Sequence, residues 1–199
     1  MLLFDDIVMH ISSRLIINDI LIPSLKRLYE MDYLNIKYGV SERNICARLA
    51  HHMENIMRKY DKAHSTYLFC DYYVDVEYNR MSNGDLKTFE NSESKPQYMV
   101  SDLLIHSRRP LENYLAVEMK RKGNNKNVEK DKERLRSVVS SNLQDPSNHC
   151  VHQTLVGAFI EYSTTAVEIK VYEDRDGRGV ETDSICLKYG ELVEGFRCL

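Results

Sequence analysis

The chain has no run of apolar residues near the roughly 18 needed to span a bilayer, which excludes a membrane-spanning helix. Its first residues, Met1-Leu2-Leu3-Phe4-Asp5-Asp6, carry two acids where a secretory leader has basic residues. No export signal is therefore expected, and the implied address is cytoplasmic. Five cysteines are an odd number, and none form a CxxC pair. That argues against a disulfide framework or a zinc knuckle and for reduced thiols. His149-Cys150-x-His152 has metal-ligand chemistry but no second ligand pair, and is read as a loop running into a strand. Repeats and low-complexity tracts are absent, which excludes solenoids and tandem arrays. Net positive charge is also missing: the formal charge is −3 at pH 7. Duplex affinity rests on neutralising phosphates, so a chain-wide basic surface is excluded.

What remains is a globular composition, 43% hydrophobic and 29% charged over 199 residues. This length supports one substantial core, read as an N-terminal helical extension over 1–40 and one domain over 41–199. In the extension, Ile7, Val8, Ile11 and Leu15, then Leu25, Leu28 and Tyr29 after Pro23, suggest one or two helices without chemistry. Tyr38-Gly39-Val40 breaks the pattern. Ser41 is an N-cap for a helix from Glu42 to about Tyr60, with the stripe Ile45, Leu49, Met53 and Ile56. At 100° per residue Glu42 lies about 20° from the direction of Leu49, and Glu54 about 140° from it. Glu42 is expected along the core-facing stripe and Glu54 in water.

Tyr67 to Tyr78 alternates as a strand, with Tyr72, Val74, Val76 and Tyr78 on one face. The polar stretch 79–97 is a loop or a short hairpin. A helix over about 128–142 carries Val128, Leu135, Val138 and Val139 on one face, and Asp131 shares that face. Strands follow over about 153–162 and 166–173. The Gly-containing tail from Asp174 has no legible element.

The chemistry concentrates in Ser101-Asp102-Leu103-Leu104-Ile105-His106 and Tyr114-Leu115-Ala116-Val117-Glu118-Met119-Lys120, two apolar strands with charge embedded in them. Glu118 and Lys120 share one strand face, while Leu115, Val117 and Met119 share the other. A hairpin symmetric about Pro110 pairs 104 with 116 and so brings Asp102 opposite Glu118. Directly opposed Cβ atoms are about 5 Å apart, and like charges there are destabilising. At least one of the two acids should have a raised pKa, opposed by Lys120. Something positive is required between them, and a divalent cation beside the Lys120 ammonium meets that need. Residues 120–136 hold eight basic and three acidic residues, a local excess of +5. Val167-Glu168-Ile169-Lys170 repeats the E-x-K spelling, so the tripeptide alone is weak evidence. It has no upstream aspartate at hairpin distance and no basic helix after it, and is read as a solvated strand face.

The order of a helix with Glu42, a strand, a strand with Asp102, a strand with Glu118-x-Lys120, a helix and a strand resembles the PD-(D/E)xK nuclease superfamily over about residues 41–173. Ser41-Glu42-Arg43, Val76-Glu77-Tyr78-Asn79-Arg80, Ser101 to His106 and Ala116 to Lys120 are similar to small bacterial members of that superfamily. Ser101 stands where the motif usually has proline. The resemblance implies an α/β, restriction-endonuclease-like fold: a central mixed sheet of four to five strands flanked by helices. It implies a Mg²⁺- or Mn²⁺-dependent nuclease. Asp102, Glu118 and the Met119 carbonyl would be the metal ligands, and Glu42 would complete the shell or hold a metal-bound water. Lys120 would orient or activate the attacking water and stabilise developing charge. Arg108, Lys122 and Lys126 are candidates for holding phosphates. The implied partner is nucleic acid, DNA ahead of RNA, with no membrane and with homodimerisation left open. The alternative is a nuclease fold used as a non-catalytic nucleic-acid-binding or assembly module.

Overall fold

A computed structural model describes residues 11–77, 88–90, 96–98, 100–109, 113–141 and 154–194. Ile7, Val8, Tyr78, Pro110 and the His149-Cys150-x-His152 run lie outside the described residues. The helices are α1 (Ser13–Leu15), α2 (Ile22–Met31), α3 (Tyr33–Lys37), α4 (Glu42–His64), α5 (Val128–Val139) and α6 (Tyr189–Val193). A π-helical segment, Ile16–Leu21, joins α1 to α2. The strands are β1 (Tyr72–Val76), β2 (Thr88–Glu90), β3 (Pro96–Tyr98), β4 (Leu103–Ser107), β5 (Asn113–Arg121), β6 (Thr154–Tyr162), β7 (Ala166–Arg175) and β8 (Arg178–Lys188).

The architecture is α/β: a six-stranded mixed sheet in the order β1-β4-β5-β6-β7-β8, with β2 and β3 as a separate antiparallel pair. Every neighbour in the large sheet is antiparallel except β5 and β6, which run parallel. A parallel neighbour needs a crossover, and α5 lies between those two strands in sequence. The strand count exceeds the four to five expected, because the tail from Asp174 adds β8. Asp176 (φ 53°) and Gly177 (φ 84°) both take positive φ, the tight-turn geometry that reverses β7 into β8. Gly179 is also required: a Cβ there would run into the Arg136 carbonyl of α5.

Each sheet face has its own helix, as the strand periodicity demands. Leu103, Ile105, Leu115, Val117, Met119 and Ile160 share a core with Ile45, Leu49, Met53 and Met57 of α4. Leu104, Ala116, Phe159 and Tyr172 pack with Leu135, Val138 and Val139 of α5. Ser41 caps α4, its hydroxyl accepting the Asn44 amide at 3.3 Å. Glu54 does not point to water: its Oε1 accepts the Val74 amide at 3.1 Å. β1 is an edge strand whose outer backbone groups need partners, and α4 supplies one.

The N-terminal helices share this core, with Ile16, Ile20, Leu25 and Leu28 fully buried in the α4 cluster. A polar pin reinforces them. Asp32 accepts from Arg48 Nε at 2.8 Å and meets His52 Nε2 at 2.7 Å. No described helix is long and apolar enough to cross a membrane.

Burial works to raise the Asp32 pKa, but the His52 and Arg48 contacts outweigh it and hold it below the ordinary value. A depressed carboxylate stabilises the fold above its unfolded pKa of about 4 and loses that contribution as pH falls through its folded pKa. Asp32→Asn is therefore expected to lower stability by about 2 kcal/mol at pH 7. The gap from wild type should close below about pH 4. Urea unfolding at pH 7 and pH 3 checks this; an equal gap at both would show that the charge of Asp32 contributes nothing.

Candidate functional site

β4 and β5 pair with Leu103 opposite Val117 and Leu104 opposite Ala116, the register expected from the hairpin. Continued one residue, it sets Asp102 opposite Glu118. Asp102 sits just ahead of β4, and its Oδ2 accepts the Met119 amide at 2.7 Å. The carboxylate thus takes a backbone donor at the mouth of the strand pair. Glu118 lies deeper, at 1% exposure.

The positive charge required beside these acids comes from α5. Arg134 donates through one terminal nitrogen to Glu118 Oε1 at 2.6 Å and to the Val100 carbonyl at 2.8 Å. Its other terminal nitrogen donates to Asp131 Oδ1 at 3.2 Å. Asp131 is buried, and its Oδ2 faces Lys120 Nζ at 3.1 Å. Lys120 Nζ also lies 4.0 Å from Glu42 Oε2. Glu42 Oε1 accepts from Asn124 Nδ2 at 2.7 Å and from the Arg121 amide at 3.4 Å. The core-facing direction expected of Glu42 is thus realised at the helix start, where the side chain reaches the end of β5.

Burial lifts Glu118 well above the ordinary carboxylate range; Arg134 opposes the rise, and Asp102 and Asp131 add to it. Burial raises Asp102 as well, against the Met119 amide and Lys120. Both acids are raised as the spacing suggested, but desolvation is the larger cause; Asp102 adds to the rise of Glu118, whereas the acid that adds to the rise of Asp102 is Asp131. Burial disfavours the Lys120 ammonium, yet Asp131, then Asp102 and Glu42, outweigh it and raise its pKa. Lys120 is therefore cationic at neutral pH.

Asp131, Arg134 and Asn124 join the site without having been site candidates in the sequence. Asp131 did leave a signal, since an acid on the apolar stripe of a helix needs a buried partner. Arg134 is three residues further on, within reach of the same face. The candidate phosphate holders are scattered. Arg108 follows the far end of β4, roughly 20 Å from Asp102 at about 3.3 Å per residue. There it lies 4.7 Å over the Tyr73 ring and 3.5 Å from Asp75. Lys122 is exposed and bound to Glu168 at 2.6 Å. Lys126 is exposed near the site, its amide donating to Asn124 Oδ1 at 3.3 Å. The second E-x-K sits on β7, with Glu168 side chain 42% and Lys170 35% exposed, in contrast to the sealed Glu118.

Asp102 and Glu118 are hard oxygen donors of the kind Mg²⁺ and Mn²⁺ take. They form a pair rather than a full shell. Among the described residues no three or more His, Cys, Asp or Glu side chains gather in a group that could hold a metal ion. Glu42, placed in the metal shell by the resemblance, here contacts Asn124, the Arg121 amide and Lys120. No known family, curated protein or solved structure matches the chain.

Removing one partner of a buried ion pair strands the other, whereas replacing both with apolar side chains is often close to neutral. Arg134→Met is thus expected to cost about 3–5 kcal/mol in urea unfolding of the metal-free protein. The double variant Glu118→Met/Arg134→Met should recover most of that loss. A double variant as unstable as the single one would mean that Arg134 stabilises through its other contacts and not through Glu118.

Proposed function

We propose that this chain is a metal-dependent nuclease that hydrolyses phosphodiester bonds in nucleic acid, DNA ahead of RNA, on a restriction-endonuclease-like core. The order α4, β1, β4, β5, α5, β6 supports that fold reading: three antiparallel strands, then a parallel one reached through α5, with α4 on the opposite face. One observation carries the functional reading. An in-register Asp102 and Glu118 share the end of a strand pair with a lysine two residues on, kept charged and 16% exposed.

Asp102 and Glu118 are the residues that would hold Mg²⁺ or Mn²⁺, with the Met119 carbonyl as the backbone donor implied by the resemblance. A bound divalent cation would supply a water of lowered pKa and offset charge on the scissile phosphate. Lys120, cationic at neutral pH, is suited to donating to the attacking water and to stabilising charge that builds on the phosphate. It is not suited to taking a proton. Glu42 and Asn124 steady the open end of the site, where Lys120 and the turn after β5 meet.

Arg134 favours a second reading. It provides a counter-ion for Glu118 from within the protein, which is what a non-catalytic nucleic-acid-binding or assembly module of this fold would need. Cleavage assays on single- and double-stranded DNA and RNA with Mg²⁺, Mn²⁺ or EDTA separate the two.

The nuclease reading expects metal-dependent cleavage that EDTA abolishes. Asp102→Asn and Glu118→Gln should lose metal affinity together with cleavage, measured by titration calorimetry and product formation. Lys120→Ala should keep metal affinity and lose roughly 10²- to 10⁴-fold in turnover. Glu168→Gln and Lys170→Ala, which alter the exposed second copy, should behave as wild type. Nucleic-acid binding without cleavage under either metal would support the module instead.

A further inference from the structure

We infer that Asp131 is the positioning residue for Lys120, so that α5 rather than β5 decides where the ammonium sits during the proposed hydrolysis; this rests on the nuclease reading of the same site. A strand fixes a lysine only at its Cα. The four-carbon stem is flexible, and the side chain carries roughly 2 kcal/mol of rotamer entropy, so the ammonium needs an anchor at its far end.

Two carboxylates lie within 4.0 Å, Asp131 Oδ2 at 3.1 Å and Glu42 Oε2 at 4.0 Å. The nearer anchor is also the more buried. The Asp131 side chain is 5% exposed, whereas the Glu42 side chain is 31% exposed. It lies in the first turn of α5, where the helix dipole favours an anion. Its amide donates to the Asn127 carbonyl at 3.0 Å. Its other oxygen is held by Arg134, which is fixed in turn by Glu118 and the Val100 carbonyl. Asp131 thus links the two cations of the site: Arg134 on Glu118, and Lys120 two residues along the same strand. A displacement of about 1 Å in a reacting group costs on the order of 10²-fold in rate. A positioning residue should therefore act on turnover and leave ground-state binding alone.

The test uses Asp131→Asn and Asp131→Ser in the full chain, two ways to remove the charge in case one folds poorly. Glu129→Gln is the control, an exposed acid on the same turn paired with Lys132. Either Asp131 variant should lower kcat 10- to 100-fold with KM and Mn²⁺ affinity within threefold of wild type. Adding it to Lys120→Met should lower kcat no further than Lys120→Met alone. Unchanged kcat, an added loss in the Lys120→Met background, or a loss of Mn²⁺ affinity like that of Asp102→Asn would each overturn the inference.

Thermal unfolding of the same single and double variants decides the pairing independently of activity. The Tm losses of Asp131→Asn and Lys120→Met should sum to more than the loss in the double variant, and additive losses would overturn the pairing. Wild type that cleaves no substrate removes the nuclease reading, and the Tm cycle still reports whether Asp131 holds Lys120.

Discussion

A carboxylate buried inside a sheet needs a counter-charge, and the contact between Glu118 and Arg134 meets that need. β5 is buried on both faces across Leu115 to Met119, so Glu118 has no route to water along its own strand. Its partner has to come from the covering layer, and α5 is that layer. Once Arg134 is committed, Asp131 is drawn into the same contact through its Oδ1, and Lys120 through its Oδ2. The remaining members of the site follow from where α5 and α4 approach the end of β5. This explains why residues from four elements meet although only two of them are adjacent strands.

Much of the site was legible because strand pairing obeys simple arithmetic. The two-residue period puts Glu118 and Lys120 on one face, and a short turn sets the register that aligns Asp102 with Glu118. The helical period gave the direction of Glu42, which does reach the end of β5. The same arithmetic failed for Glu54, because periodicity reports a direction and not what lies along it; an edge strand with open amides lay there. Arg134 was illegible for a different reason. Its role depends on a crossover that brings α5 over β5, and no local pattern encodes which residue of a basic helix lands on which strand position. β8 escaped notice because the Asp176-Gly177 reversal sits within a polar tail whose alternation is half exposed.

The two E-x-K segments form an internal comparison. They are two strands apart in one sheet, and the register places Lys120 against Glu161 and Glu161 against Glu168. Their residue spelling is the same, yet Glu118 is sealed under α5 whereas Glu168 pairs with Lys122 in the open. Environment separates them: depth determines whether a carboxylate meets water or has to be matched by a charge inside the protein. The N-terminal helices act on the other face, where their apolar residues close the α4 side of the sheet.

The parallel pairing of β5 with β6 also sets how much chain each contact of the site has to close. β4 and β5 are joined by a short connection, so their contacts close a small loop at little entropic cost. Arg134 reaches Glu118 from sixteen positions downstream, and the parallel ladder of β6 requires the whole crossover to be closed. Without α5 the Glu118 side of β5 would face water. Docking of α5 therefore does two things at once: it covers this face of the sheet and supplies the counter-charge of its buried carboxylate.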